Sequence, residues 1–229
     1  MPTNKNVLIN REKYIGSSEI STILGINQFK TRFDLLLEKC QLKEPETVDN
    51  PYVDFGNEIE KYIRNYLNEK YTDEPFKEDT IIKEEEVIDL RCNYDGLNST
   101  TAVEIKSTSK IHNEIREYKY YVVQLLYGMM LGKRNNGILA VYRRNENFEV
   151  NFEKERLQVF KININDFKDW VEEIERAIIK FKEDIMKVKK NPFLTEEDLL
   201  PVDLSELSEK VVALENQLTS YKQIEKEYK

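Results

Sequence analysis

Two short stretches of this 229-residue chain place acids and a lysine where they could do chemistry together: Tyr94-Asp95-Gly96, and Glu104-Ile105-Lys106 after a polar turn. Around Glu104 the pattern alternates as in a β-strand, with Val103 and Ile105 pointing one way and Glu104 and Lys106 the other. Val87 to Cys92, leading into Asp95, also reads as a strand, and Gly96 to Thr101, rich in Asn, Ser and Thr, as the turn between. Paired as a hairpin, the strands would gather Asp95, Glu104 and Lys106 at one sheet edge. Two carboxylates and an ammonium so arranged suit metal-assisted hydrolysis of a phosphodiester. The carboxylates would take Mg²⁺, which prefers hard oxygen ligands and keeps several waters. The metal polarises the phosphate and acidifies a bound water. The lysine orients or deprotonates that water, or neutralises charge developing in the transition state. A plainer reading competes: Glu and Lys at alternate strand positions commonly form a solvated face, and Asp-Gly is common in turns.

The length allows a substantial core, and one domain with an appendage is the natural expectation. There is no apolar run long enough to span a bilayer and no hydrophobic segment after the lysines of the first residues, so no membrane association or secretory signal is expected. Cys40 and Cys92 are the only cysteines, which suits a reducing, cytoplasmic location and excludes a disulfide framework or a four-cysteine metal site. One histidine, His112, argues against His-dependent triads and His-rich metal sites. The net charge of −8 argues against promiscuous coating of DNA. Residues 196 to 229 hold nine acids and four bases, so the rest of the chain is nearly balanced.

The elements that must position these residues can be drawn from periodicity. Gly16-Ser17-Ser18 reads as a helix start with serine as cap, continuing through Glu19 to Leu24 and ended by Gly25. Thr31, with Asp34 three residues on, opens a second helix through Glu38. After a polar loop over 43–51, Phe55, Ile59, Tyr62, Ile63, Tyr66 and Leu67 recur at helical spacing, with Glu60 near that stripe. Strands are expected near Ile81-Ile82, 87–95, 102–106, 137–142, 148–152 and 157–162, with an apolar helix from Tyr118 to Lys133. Asn165 or Asp166 would cap a last long helix carrying Trp170, Ile174, Ala177, Ile178, Phe181, Ile185 and Val188. These define a domain over 1–190. Residues 191–229 read as a linker and a coiled-coil-like helix, with Leu204, Leu207, Val211, Leu214, Leu218 and Tyr221 at three–four spacing. That stripe could equally pack on the chain's own body. Its end at Lys229, without a cap or glycine, is what a piece of a longer chain would show.

Five motifs in this order resemble the YqaJ-type viral recombinase family, relatives of phage lambda exonuclease within the PD-(D/E)XK nuclease superfamily, over residues 11 to 190. They are Arg11 with Ser18 before Leu24-Gly25, Gly56-Asn57-Glu58-Ile59-Glu60, Asn93-Tyr94-Asp95-Gly96, Glu104-Ile105-Lys106, and Tyr121-Val122-Val123-Gln124. Tyr94 departs from the family's proline before Asp-Gly. The resemblance implies an α/β fold with a restriction-endonuclease-like core, a central mixed sheet flanked by helices and a C-terminal helical extension. It implies a Mg²⁺-dependent 5′-to-3′ exodeoxyribonuclease acting on linear duplex DNA ends and leaving 3′ single-stranded overhangs for recombination, with Mn²⁺ as a substitute metal. Glu60, Asp95, Glu104 and the Ile105 carbonyl would hold metal. Lys106 would activate water and Gln124 help place it. Arg11 and Ser18 would seat the 5′-phosphate, with Asn93 in the place of a phosphate-binding serine and Lys110 or Arg116 as a further basic group. It also implies a ring-shaped homotrimer and a single-strand annealing protein as partner. Two alternatives stay open: an endonuclease using the same site, and a non-catalytic DNA-end-binding or scaffold protein.

Overall fold

The alternating segments assemble into one six-stranded mixed sheet, formed by β1 (Tyr14–Gly16), β2 (Lys77–Lys83), β3 (Asp89–Leu97), β4 (Thr101–Thr108), β5 (Asn136–Arg143) and β6 (Leu157–Asn163). A computed structural model describes residues 10–45, 50–200, 211–215 and 218–219, and the chain divides into two compact units, Met1–Met186 and Lys187–Lys229. Strand order is β1-β3-β4-β5-β6, with β2 also paired to β3. β4 and β5 run parallel, while β2–β3, β3–β4 and β5–β6 are antiparallel. The expected α/β architecture is what the chain adopts.

Helices accompany the sheet, α1 (Ile20–Ile23), α2 (Arg32–Lys39), α3 (Pro51–Lys70), α4 (Lys119–Gly132) and α5 (Lys168–Lys190), of which α3 and α4 pack directly on its strands. One apolar cluster joins Phe55, Ile59, Ile63 and Leu67 of α3 to Val103, Ile105, Ile138, Ala140 and Tyr142 of the central strands. On the other face α4 presses closely on β5, where a Cβ added at Gly137 would lie 2.6 Å from Met129 Sδ and 3.2 Å from Leu125 Cδ2. Burial on both faces explains why β5 reads as a nearly unbroken apolar run. Asn50 caps α3, its side chain accepting from Tyr52 N–H at 2.9 Å with Pro51 as the first helical residue. Thr31 caps α2, accepting from Asp34 N–H at 3.0 Å.

Four sequence expectations are corrected. β1 was not foreseen, because three residues are too few to show a period and their pairing with Asp89 to Arg91 is remote in sequence. Residues 148–152 form no strand: Phe148 takes a left-handed conformation (φ 56°), and Phe148, Val150 and Phe152 lie half-buried on the core cluster with no ladder. Ser18 is not a helix cap, since Ser17–Glu19 is a 3₁₀ turn and the Gly16 N–H donates to Glu19 Oε2 at 2.8 Å; α1 is a single turn, ended by Gly25 at φ 71°. Asn163, rather than Asn165 or Asp166, makes the cap ahead of the last long helix, accepting from Asn165 N–H at 3.0 Å.

In the second unit, Val211 and Leu214 of the helical stretch 211–215 are exposed, as is Leu218. Leu204, Leu207 and Tyr221 of the expected seam lie outside the described residues. No described helix is long and apolar enough to cross a membrane.

Candidate nuclease site

The geometry starts from the two edges of β3. β2 pairs with Leu90 to Leu97 on one edge, so β1, which pairs with Asp89 to Arg91, and β4, which pairs with Gly96 and Leu97, must share the other. Between them Cys92 to Asp95 have no strand partner on that side among the described residues, and the site forms in this fork. The hairpin is therefore real, but the acids converge inside the sheet rather than at its outer edge.

A bulge aims the first acid. β3 carries one more residue than β2 between the pairs Tyr94–Asp79 and Leu97–Lys77, so Asp95 and Gly96 together face Glu78. Gly96 has to be glycine: a Cβ there would lie 2.9 Å from Phe76 Cβ and 3.2 Å from Val103 Cβ. One register step beyond the Gly96–Val103 pair sets Asp95 beside Glu104. There the ladder stops and the Asp95 side chain replaces it, Oδ2 accepting from Ile105 N–H at 2.7 Å.

Glu104 is buried, 4% exposed, with Oε1 2.5 Å from the Lys106 ammonium. That oxygen accepts no well-directed hydrogen bond. Glu60, on α3, takes Arg64 Nη1 at 2.8 Å, and the same nitrogen donates to the Asp95 carbonyl at 2.6 Å while Arg64 Nη2 meets Glu78. Burial raises the pKa of all three acids. The Asp95 charge pushes Glu60 and Glu104 further up, against the lowering pull of Arg64 and Lys106 respectively. For Asp95, Lys106 and the Ile105 N–H oppose the rise without cancelling it. Burial alone would lower the pKa of Lys106, but Glu104 and Asp95 outweigh it and the ammonium is held more firmly.

Such a cluster is short of positive charge, and its buried Glu104 oxygen has the Lys106 ammonium as its one partner among the described residues. Both features fit a hard divalent cation. No group of three or more His, Cys, Asp or Glu side chains among the described residues is gathered as a ready cage. The fit is therefore to an ion held by Asp95 and Glu104 with a backbone carbonyl and water, as Mg²⁺ favours.

Gln124 is buried on α4, which packs against β4, and its side chain makes no hydrogen bond among the described residues. Arg11 lies 3.4 Å from Glu19, next to the exposed Ser18 in the turn that follows β1. Asn93 Oδ1 is engaged by Thr80 Oγ1 at 2.9 Å and Arg91 Nε at 3.1 Å. Lys110 is exposed just beyond β4, whereas the Arg116 guanidinium sits over the rings of Phe167 and Trp170 at 5.8 and 5.6 Å.

Residues 8–134, which contain β1 through α4 and every acid of this site, match the YqaJ-like viral recombinase domain. The chain belongs to the YqaJ-like viral recombinase family. Its fold is shared with the alkaline exonuclease LHK-Exo from Laribacter hongkongensis (TM-score 0.53, 18% identity, covering 80% of this chain and 94% of that one). It is shared too with a phage-related exonuclease from Haemophilus somnus 129PT (TM-score 0.54, 16% identity, covering 76% and 95%). No curated protein matches the sequence.

In this YqaJ-like domain the sequence motifs missed the residues that brace the site. Lys39, 4% exposed, donates to the carbonyls of Arg11 and Tyr14 at 2.5 and 2.6 Å and to Glu19 Oε1 at 2.8 Å, fixing the Arg11–Ser18 segment. Arg64 was missed as well. Its position four residues after Glu60 was the available signal, since that spacing stacks two side chains on one helix face.

Proposed function

We propose that this protein is a Mg²⁺-dependent exodeoxyribonuclease that degrades one strand of linear duplex DNA from its 5′ end, leaving 3′ overhangs. The observation that carries the reading is Asp95 bonded to Ile105 N–H beside a buried Glu104 that meets Lys106 at 2.5 Å. Family membership and the exonuclease folds support the nuclease class. Polarity and end preference rest on the likeness to lambda exonuclease.

Asp95 and Glu104 would hold the ion, with Glu60 nearby. In an extended strand a residue's N–H and C=O point to the same edge, so the N–H bonded to Asp95 supports the Ile105 carbonyl as a further ligand. Bound there, Mg²⁺ would supply positive charge to the phosphodiester and acidity to a water. Lys106, held as an ammonium beside Glu104 and Asp95, would orient the attacking water and offset charge on the phosphoryl oxygens. Gln124, whose side-chain amide has no hydrogen-bond partner among the described residues, is suited to hold that water or the substrate strand. Arg11 offers a fork of donors for a terminal phosphate, and Ser18 adds a hydroxyl. Lys110, exposed just beyond β4, and Arg116, whose guanidinium lies over Phe167 and Trp170, are the two candidates for a second basic group. A homotrimeric ring and a single-strand annealing partner belong to the same reading.

The test compares linear duplexes carrying 5′-phosphate or 5′-hydroxyl ends with covalently closed circles, all with Mg²⁺. The expected result is faster loss of the phosphorylated duplex and intact circles. Equal rates on both ends would remove the Arg11 and Ser18 assignment. Cutting of closed circles would make the protein an endonuclease.

A further inference from the structure

At the C-terminal end of β5 lies an open groove of about 770 Å³, lined by Tyr52, Arg143, Arg144, Phe148 and Arg156 together with Glu146. Arg156 is answered by Glu153 at 3.1 Å. Arg143 and Arg144 have no ion pair among the described residues, in a chain whose net charge is −8. The Arg144 guanidinium sits over Tyr52 at 4.4 Å and Phe148 at 5.7 Å, and its backbone N–H donates to the Thr108 carbonyl at 2.9 Å. Tyr52 meets Phe148 edge-on at 5.1 Å. Phe148 holds the left-handed backbone that a bulky side chain rarely adopts, so packing overrides local preference to keep this ring under Arg144. A guanidinium fixed by its face leaves its edge donors directed outward, which suits phosphate oxygens.

The sheet relates the groove to the site. Lys106 pairs with Val141 and Thr108 with Arg143, so Arg143 stands one strand over from Lys106 and two residues further along. That is about 7 Å along the strand and about 4.8 Å across it, or roughly two to three nucleotides at about 3.4 Å of rise per nucleotide. In the order β1-β3-β4-β5, the turn carrying Ser18 and the groove lie on opposite sides of the strand that holds Lys106.

We propose that Arg143 and Arg144 grip the backbone phosphates of the DNA strand being cut, a few nucleotides to the 3′ side of the scissile bond. This rests on the nuclease reading, which places the 5′ end at Arg11 and Ser18. The two arginines then keep the strand crossing Lys106 after each terminal nucleotide leaves. On a chain of net charge −8, these two arginines, without an ion pair among the described residues, carry a large share of the salt-sensitive affinity.

Binding of a fluorescein-labelled, 5′-phosphorylated linear duplex, followed by anisotropy in EDTA from 50 to 200 mM salt, tests this without cleavage. In Arg143→Ala/Arg144→Ala, affinity should fall about tenfold and the slope of log K against log salt should flatten by about 2, since each phosphate contact contributes about 0.9. Arg143→Lys/Arg144→Lys keeps the charges and should keep the slope. An unchanged slope in the alanine pair overturns the proposal, as does equal loss in the lysine pair or no binding by the wild type. If the wild type binds in this way yet cuts nothing with Mg²⁺, the nuclease reading fails while the groove assignment stands.

Discussion

Without metal, the fold should lose stability as pH rises through neutrality, which few proteins do. Glu60 and Glu104 have ordinary values of 4.5 and are pushed up to about 7 and about 8 in the folded chain, so over that interval the native state holds protons the unfolded chain has released. Stability then falls with pH, by about 1.4 kcal/mol per unit for each extra proton held. Glu60 is partly exposed, so one net proton is the sounder basis. From pH 5 to 7 this gives about 3 kcal/mol, or about 6–11 °C in Tm for a chain of this size. Acids whose pKa is lowered, Asp34 and Glu85 among them, are ionised in both states above about pH 5 and do not oppose the trend. Lys106 stays charged in both states until well above this window. Thermal melts in EDTA from pH 5 to 8 read the slope, and Glu104→Gln should flatten it. Mg²⁺ binds the ionised carboxylates, so its stabilisation should grow with pH. A Tm that is flat or rising from pH 5 to 8 in EDTA, or an equal fall in Glu104→Gln, would refute the charge accounting.

Two further outcomes test how the site is held. Gly96→Ala should lower stability by about 1–3 kcal/mol in urea unfolding, since its methyl would overpack Phe76 and Val103. Lys39→Met should cost about 3–5 kcal/mol, because the buried Glu19 would keep the Gly16 N–H but only the longer Arg11 contact as a cation. By loosening the segment that carries Arg11 and Ser18, Lys39→Met should also narrow the difference between 5′-phosphate and 5′-hydroxyl duplexes in cleavage assays.

What was legible in the sequence was local. Val103 and Ile105 alternate with Glu104 and Lys106, and the structure sends the first pair into the α3 cluster as that pattern requires. Asp95-Gly96 was visible as a pair, but not as a bulge, because the extra residue exists only relative to β2. The fork between β1 and β4 was invisible for the same reason: three residues of β1 acquire meaning only beside Arg91. Residues 148–152 show the converse error. Alternating Phe148, Val150 and Phe152 mimic a strand, yet the same pattern arises when an irregular segment lies on a core without a ladder. Lys39 was overlooked because a lysine on a short helix usually faces water, and only the folded chain reveals the two carbonyls and the carboxylate that receive it.

The central claim is that Asp95, Glu104 and Lys106 form a phosphodiester-cleaving centre, and the most direct measurement is the cleavage rate of 5′-phosphorylated linear duplex by Lys106→Ala and wild type at saturating Mg²⁺. Removing a cation that stabilises charge developing in the transition state costs about 10²–10³-fold, so the variant should lose at least about a hundredfold while still binding the duplex in EDTA. A variant that cuts within about threefold of the wild type would contradict the account.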